Sequence, residues 1–199
     1  MTTRRERTRP TRDSVREAVL AAAHETFAAD GYHGATLARI AARAGFSKGA
    51  VYSNFASKED LFLALLVREN AQRTEALAQL SGPGTEPDLA AVAEGLLALA
   101  AASRPILVLA EFRGLADGDA ALARRLAEVR GATVDASTEL LSGAAAAWGL
   151  ELVVPAREAA VVLLALVNGL ALEQVGTDEA LVGVETVTAV LRGLVTGTE

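Results

Sequence analysis

Cysteine is absent from all 199 residues. That excludes disulfides, thiolate metal ligands and cysteine nucleophiles, and ties the chain to no oxidising compartment. Histidine is nearly absent: only His24 and His33 occur, separated by a helix end. The E-x-x-H spacing of diiron bundles, the H-E-x-x-H motif and a Gly-rich phosphate loop after a strand are all missing. A serine nucleophile would need a histidine base beside it, and neither His has an evident partner. The expectation is therefore no catalytic residue, no metal and no cofactor. Aromatics are scarce at 4%, and after residue 62 they comprise Phe112 and Trp148 alone, which argues against a stacking pocket for flat polyaromatic molecules. No uncharged apolar run reaches about 18 residues, and the Arg-rich N-terminus lacks the apolar centre of a signal peptide. A cytoplasmic protein with no membrane partner is the expectation.

Charge is present but divided. The net charge is −6, which is unpromising for a polyanion binder until the chain is split. Residues 1–58 hold ten Lys/Arg against five Asp/Glu, a net of +5, whereas residues 59–199 hold nine against twenty, a net of −11. A basic head on an acidic body suits a chain whose head meets phosphates while its body is repelled by them. Arg4, Arg5, Arg7 and Arg9 lie in a segment with almost no apolar residue. It is expected to be disordered, free to follow phosphates as an arm.

Residues 36–62, TLARIAARAGFSKGAVYSNFASKEDLF, read as two short helices folded against each other. Thr36 suits an N-cap, and Leu37, Ile40, Ala41 and Ala44 form one helical face. Gly45 supplies the left-handed turn, and Ser47 caps the second helix, from which Val51 and Phe55 point back. That spacing is a helix-turn-helix. Lys48, Gly49, Ala50, Tyr52, Ser53 and Asn54 are left facing outward. Small residues let a backbone approach a groove, while Lys, Ser and Asn reach phosphates or base edges. Ser57 opens the next helix with Asp60 three residues on, a capping-box-like start. Lys58 in that first turn opposes the helix dipole and makes sense beside a phosphate.

The stretch AVLAAAHETFAADGYHGATLARIAARAGFSKGAVYSNFASKEDLFLALL resembles the N-terminal domain of the TetR family of bacterial transcriptional regulators. The resemblance covers about residues 12–72 and joins several signals in fixed order. It implies a DNA-binding regulator that acts on a palindromic operator as a homodimer, with repression as the expected sense. Thr36, Ser47, Lys48, Gly49, Ala50, Tyr52, Ser53, Asn54 and Lys58 occupy positions that commonly face DNA in such proteins, and Arg39 joins them. The resemblance further implies that a small molecule binds the C-terminal body and releases DNA.

Beyond SGPGTEPD, residues 81–88, the Ala- and Leu-rich chain has no alternating strand pattern, so helices are predicted throughout. The fold class is all-α: a three-helix reading head over 12–72, then a helical bundle over 80–199 for effector binding and dimerisation. The predicted body helices begin near Asp88, Pro105, Asp119 and Pro155, with a last one capped by Thr177. Residues 161–172 are apolar around most of the helix circumference, which predicts burial on more than one side and a dimer face made with the last helix. Phe112, Trp148 and Asn168 are the expected ligand contacts, with Glu111, Arg113 and Glu173 as further polar tips. The effector should be apolar or amphipathic. A helical adaptor and an all-α enzyme stand as alternatives: DNA retention separates both from a regulator, and substrate turnover marks the enzyme.

Overall fold

The structure is a computed structural model. It describes residues 11–80, 87–101, 103–177 and 179–197. The basic segment expected as an arm and most of the Gly/Pro-rich stretch lie outside the described residues. The chain divides into two compact units, Met1–Leu65 and Leu66–Glu199. The division falls within a helix rather than at residues 81–88.

The first unit is built from α1 (Arg12–Gly34), α2 (Leu37–Ala44), α3 (Lys48–Tyr52) and the start of α4 (Lys58–Leu80). Thr11 caps α1 through its side chain, accepting from the Ser14 N–H. Gly31 sits at φ 71° inside α1 and kinks it, so the last residues leave the line of the first turns. Thr36 and Ser47 cap α2 and α3 as the sequence predicts, accepting from the N–H groups of Arg39 and Ala50. Gly45 ends α2 at φ 73°, where a side chain would be strained. Val19, Phe27, Ile40, Val51, Phe55, Leu61 and Phe62 close the core between these helices.

The second unit holds the rest of α4 with α5 (Leu89–Ala101), α6 (Ser103–Asp117), α7 (Ala120–Ala147), α8 (Ala156–Glu173) and α9 (Val184–Arg192). Asp88 and Asp119 cap α5 and α7 through their carboxylates. Ala93 and Leu96 of α5 pack on Val187 and Leu191 of α9, with Leu163, Leu166 and Val167 of α8 against them. Arg157 of α8 pairs with Asp135 of α7 at the surface. Among the described residues no single helix is long and apolar enough to cross a membrane.

Two expectations are corrected. Helices do not run throughout: β1 (Leu150–Leu152) pairs antiparallel with β2 (Val195–Gly197). Gly149 at φ 63° ends the α7 region and Pro155 opens α8, leaving between them a segment too short for either helix to claim. A three-residue strand shows almost no alternation, so its pattern could not register. The last helix starts at Val184 behind Gly183 rather than at Thr177; the Thr177 hydroxyl instead accepts from the Glu179 N–H in a turn. Within the single chain α8 is not enclosed on all sides. Its fully buried positions are the small Ala159, Ala160 and Ala171, while Val161, Val162 and Leu172 are exposed.

Val51 is 0% exposed and Tyr52 is 56% exposed. Val51→Ala should therefore lower the unfolding free energy by about 2 kcal/mol through the cavity it leaves. Tyr52→Ala should change it by less than about 0.5 kcal/mol, as surface substitutions do. Urea denaturation of the two variants checks the assignment of α3's faces, and a reversed order would shift it by one residue.

Candidate nucleic-acid interface and effector cavity

The outer face of α3 carries what the sequence placed there. Ser47, Lys48, Gly49, Tyr52 and Ser53 are exposed, Ala50 is half-buried, and Thr36 at the start of α2 is exposed as well. Their local bonds divide the set. The Ser53 hydroxyl donates to the Ala50 carbonyl at 2.8 Å. The Asn54 amide nitrogen donates to the same carbonyl at 2.8 Å. Both therefore satisfy the end of α3, and because the Asn54 amide nitrogen also donates to Ser53 Oγ at 3.4 Å, the amide oxygen is the group left for a ligand. Arg39 is held by Asp30 of α1 at 3.1 Å, with the arginine side chain still 60% exposed. Lys48 and Tyr52 project without such an internal use in any hydrogen bond or ion pair among the described residues.

Lys58, expected beside a phosphate, is engaged by backbone groups of the first unit. Its ammonium donates to the carbonyl oxygens of Tyr32 at 2.9 Å and Ala35 at 3.2 Å. It also lies 4.3 Å from the centre of the Tyr32 ring. The unfavourable position in the first turn of α4 is offset by carbonyls at the end of α1, where a cation is favoured. Next to it, the Tyr32 hydroxyl donates to Glu59 Oε1 at 3.1 Å. Burial pushes the Tyr32 phenol far above its usual value, and the Glu59 charge and hydrogen bond push it further. Burial also raises the Glu59 carboxyl, but hydrogen bonds from its own backbone N–H, Ser57 and Tyr32, with the Lys58 charge, outweigh it. The carboxyl is held below its ordinary value.

Two arginines that sequence reasoning passed over lie at the same end. Arg12 Nη2 donates to the Ser53 carbonyl oxygen at 3.2 Å. Arg16 stands over the Phe55 ring at 4.6 Å. Both tie α1 to the end of the helix pair, and their i, i+4 spacing was the available signal.

The second unit encloses a cavity of about 740 Å³. Its wall is mostly Leu, Val and Ala from α4 to α8, with Trp148 and Asn168 among the lining residues as expected. Phe112 is corrected: it is 0% exposed in the core and is not on the wall. Val108 and Phe112 form one buried i, i+4 stripe of α6, while Leu109 and Arg113, one step round the helix, line the cavity. Glu111 and Glu173 are not on the wall either. Arg73, Arg113, Arg130, Asn70 and Thr133 bring polar groups to it. The Asn70 amide donates to Thr133 Oγ1 at 2.7 Å, joining α4 to α7.

With this geometry in place, comparison with known proteins is decisive for the first unit. Residues 19–65 match the sequence profile of "Bacterial regulatory proteins, tetR family". The N-terminal unit belongs to the tetR family. The chain is 41% identical over 64 residues to the transcriptional repressor AcnR of Corynebacterium diphtheriae, a match covering 32% of this chain and 34% of that protein. It is 49% identical over 57 residues to the transcriptional activator FasR of Mycolicibacterium smegmatis, covering 29% of this chain and 26% of that one. The chain thus spans about a third of the length of the curated relatives it matches. Over 92% of its length it shares the fold of Bacillus subtilis FadR, solved in complex with stearoyl-CoA, at 21% identity and a TM-score of 0.58 with 99% of that chain covered. The tetR-type profile ends at residue 65, where the first compact unit also ends.

Lys58→Met keeps the aliphatic stem and removes the ammonium from two backbone carbonyls. It should lower stability by about 1.5–3 kcal/mol, the range for hydrogen bonds to a charged group. Urea unfolding followed by circular dichroism measures it. Unchanged stability with weakened DNA binding would return this lysine to the phosphate role.

Proposed function

We propose that this protein is a DNA-binding transcriptional regulator, a ligand-responsive repressor that grips a palindromic operator as a homodimer. The observation that carries the reading is the outer face of α3. It presents Lys48, Tyr52 and small residues outward on a tetR-type helix-turn-helix whose inner face is sealed by Val51 and Phe55. In this reading Gly49 and Ala50 admit the groove wall, Ser47 and Lys48 meet phosphates, and Tyr52 approaches the bases or their sugar edge. Thr36, Arg39, Ser53 and Asn54 complete the contact surface, the last two more as supports for α3 than as readers.

Dimerisation is supported by apolar side chains left uncovered on neighbouring elements of the body. Val161, Val162 and Leu172 of α8 and Val190 of α9 are all exposed in the single chain. Pairing α8 and α9 with their copies would bury them in a four-helix contact about a two-fold axis. Two recognition helices would then meet successive major grooves about 34–36 Å apart. The cavity supports the effector reading, and α4 offers a mechanical route because its residues are divided between both units. A small apolar or amphipathic molecule that fits better in the form unsuited to DNA lowers operator affinity by its differential affinity, commonly about 1–3 kcal/mol. The stearoyl-CoA held by FadR shows that a protein of this fold can accept an amphipath. A cytoplasmic location follows from the same reading.

The test is fluorescence anisotropy with an inverted-repeat duplex drawn from the DNA flanking the gene. Wild-type affinity should fall steeply with salt. Tyr52→Ala should weaken it roughly tenfold or more, about 1.4 kcal/mol. Equal affinity for random duplex at physiological salt overturns the operator reading. Val162→Glu, at a position 51% exposed, should leave the monomer folded, abolish the dimer in analytical ultracentrifugation and weaken operator binding. A wild-type monomer at micromolar concentration sinks the dimer.

A further inference from the structure

The cavity's polar groups do not balance. Arg73 of α4 is matched by Glu69, 3.8 Å away and one helical turn before it. Asn70 and Thr133 satisfy each other. Arg113 of α6 and Arg130 of α7 also line the cavity, and among the described residues neither makes an ion pair or hydrogen bond. The remaining carboxylate on the wall is Asp117, one turn beyond Arg113 on α6. Two cations against one anion leave an excess of one positive charge in a wall that is otherwise largely apolar.

The two guanidiniums also act on each other. Burial, followed by the charge of Arg130, holds Arg113 below its ordinary value. Like charges on one cavity wall repel each other, and an anion bound by both removes that repulsion. Guanidinium forks match a carboxylate bidentately, giving charge-assisted hydrogen bonds that are roughly twice as strong as neutral ones. Both arginines keep access to solvent, so they stand where a ligand's polar end would remain near water. Its apolar remainder would meet Leu109, Leu140, Trp148, Leu163 and Leu164 farther along the wall. A cavity of about 740 Å³ is in the range that encloses most of a drug-sized molecule.

Resting on the reading of this cavity as the effector site, we infer that the effector is an amphipathic monoanion. It carries an apolar chain and a single carboxylate, and Arg113 and Arg130 hold that carboxylate between α6 and α7. The single excess charge selects one negative charge on the ligand. A phosphate ester or a coenzyme A thioester would bring more charge than the wall can match. Arg113 and Arg130 belong to successive helices, so closing both on one carboxylate draws α6 and α7 together. That gives the ligand a preference for one arrangement of the body.

Isothermal titration calorimetry with the full-length protein tests the assignment, using dodecanoate below its micelle threshold as the probe. Methyl dodecanoate, dodecylamine, dodecyl phosphate and dodecanoyl-coenzyme A serve as comparisons. Dodecanoate should bind at least tenfold more tightly than each of them. Arg113→Gln and Arg130→Gln should each weaken dodecanoate at least tenfold while leaving the weaker methyl ester unaffected, which also shows that the variants are folded. Equal binding of ester and acid overturns the proposal, as does undiminished dodecanoate affinity in the double glutamine variant. Tighter binding of the phosphate or the thioester overturns the single-charge assignment, and absence of dodecanoate binding overturns the site. Operator release is measured separately by anisotropy. Arginine-dependent binding that leaves DNA affinity unchanged upholds the carboxylate site and refutes the coupling, whereas lack of any operator affinity refutes the regulator reading alone.

Discussion

Everything the first unit presents to a partner depends on how Tyr32 is held. Gly31 breaks α1 at φ 71° and turns Tyr32 inward. There its ring lies parallel to Phe27 at 5.7 Å and edge-on to Phe62 at 5.3 Å. From the other side α4 takes hold of it: Lys58 covers the ring and binds its carbonyl, and Glu59 accepts its hydroxyl. Two consecutive side chains at the start of one helix thereby fix the end of another. The helix pair 36–55 is strung between those two ends, so the clasp sets where α3 lies relative to α1 and α4. Aromatic contacts give this corner its apolar weight, and the charged groups give it direction.

The two units are packed by different means. The first holds six of the eight aromatic residues and buries Phe27, Tyr32, Phe55 and Phe62 in its core. The second is packed mostly by alanine, leucine and valine, with Phe112 as its one fully buried ring among the described residues. Small side chains bring helices close together where they touch and leave space where the helices diverge. The aromatic core of the first unit and the cavity of the second reflect that difference in side-chain size. The cavity is thus a consequence of composition as much as of topology.

How much could be read from the chain follows the range of the interactions. Caps and turns are local, and Thr36, Gly45, Ser47, Asp88 and Asp119 took the conformations their chemistry demands. The helix faces of α2 and α3 were equally legible, because i, i+4 spacing needs no partner to be seen. What escaped depends on a neighbour distant in sequence. The β1–β2 ribbon joins residues more than forty apart, and neither strand has the length to announce itself. The hold of Lys58 on the carbonyls of Tyr32 and Ala35 could not be read because nothing nearby in sequence shows them. Phe112 looked like a pocket ring because spacing on α6 does not say which of two adjacent stripes meets the cavity. Arg130 was passed over for the opposite reason: an exposed arginine in an amphipathic helix reads as merely solvent-facing until it is found on the same cavity wall as Arg113.

The same bookkeeping of donors narrows what α3 can do. Five helical residues give a short reading element, and a short helix needs its last carbonyls satisfied. Ser53 and Asn54 both bond the Ala50 carbonyl, and Arg12 takes that of Ser53. These three polar side chains, outwardly the best equipped for hydrogen bonding, are used to keep α3 intact at its C-terminal end. The free chemistry is left at the N-terminal end and on Tyr52. In the proposed DNA-binding role, a helix so arranged would meet DNA with its amino end, its lysine and one amphipathic ring. Such a surface takes much of its affinity from phosphates and its discrimination from how closely Gly49, Ala50 and Tyr52 fit the groove. Sequence preference should therefore be carried by shape and by a small number of base contacts, with the three supporting side chains affecting it through the position of α3.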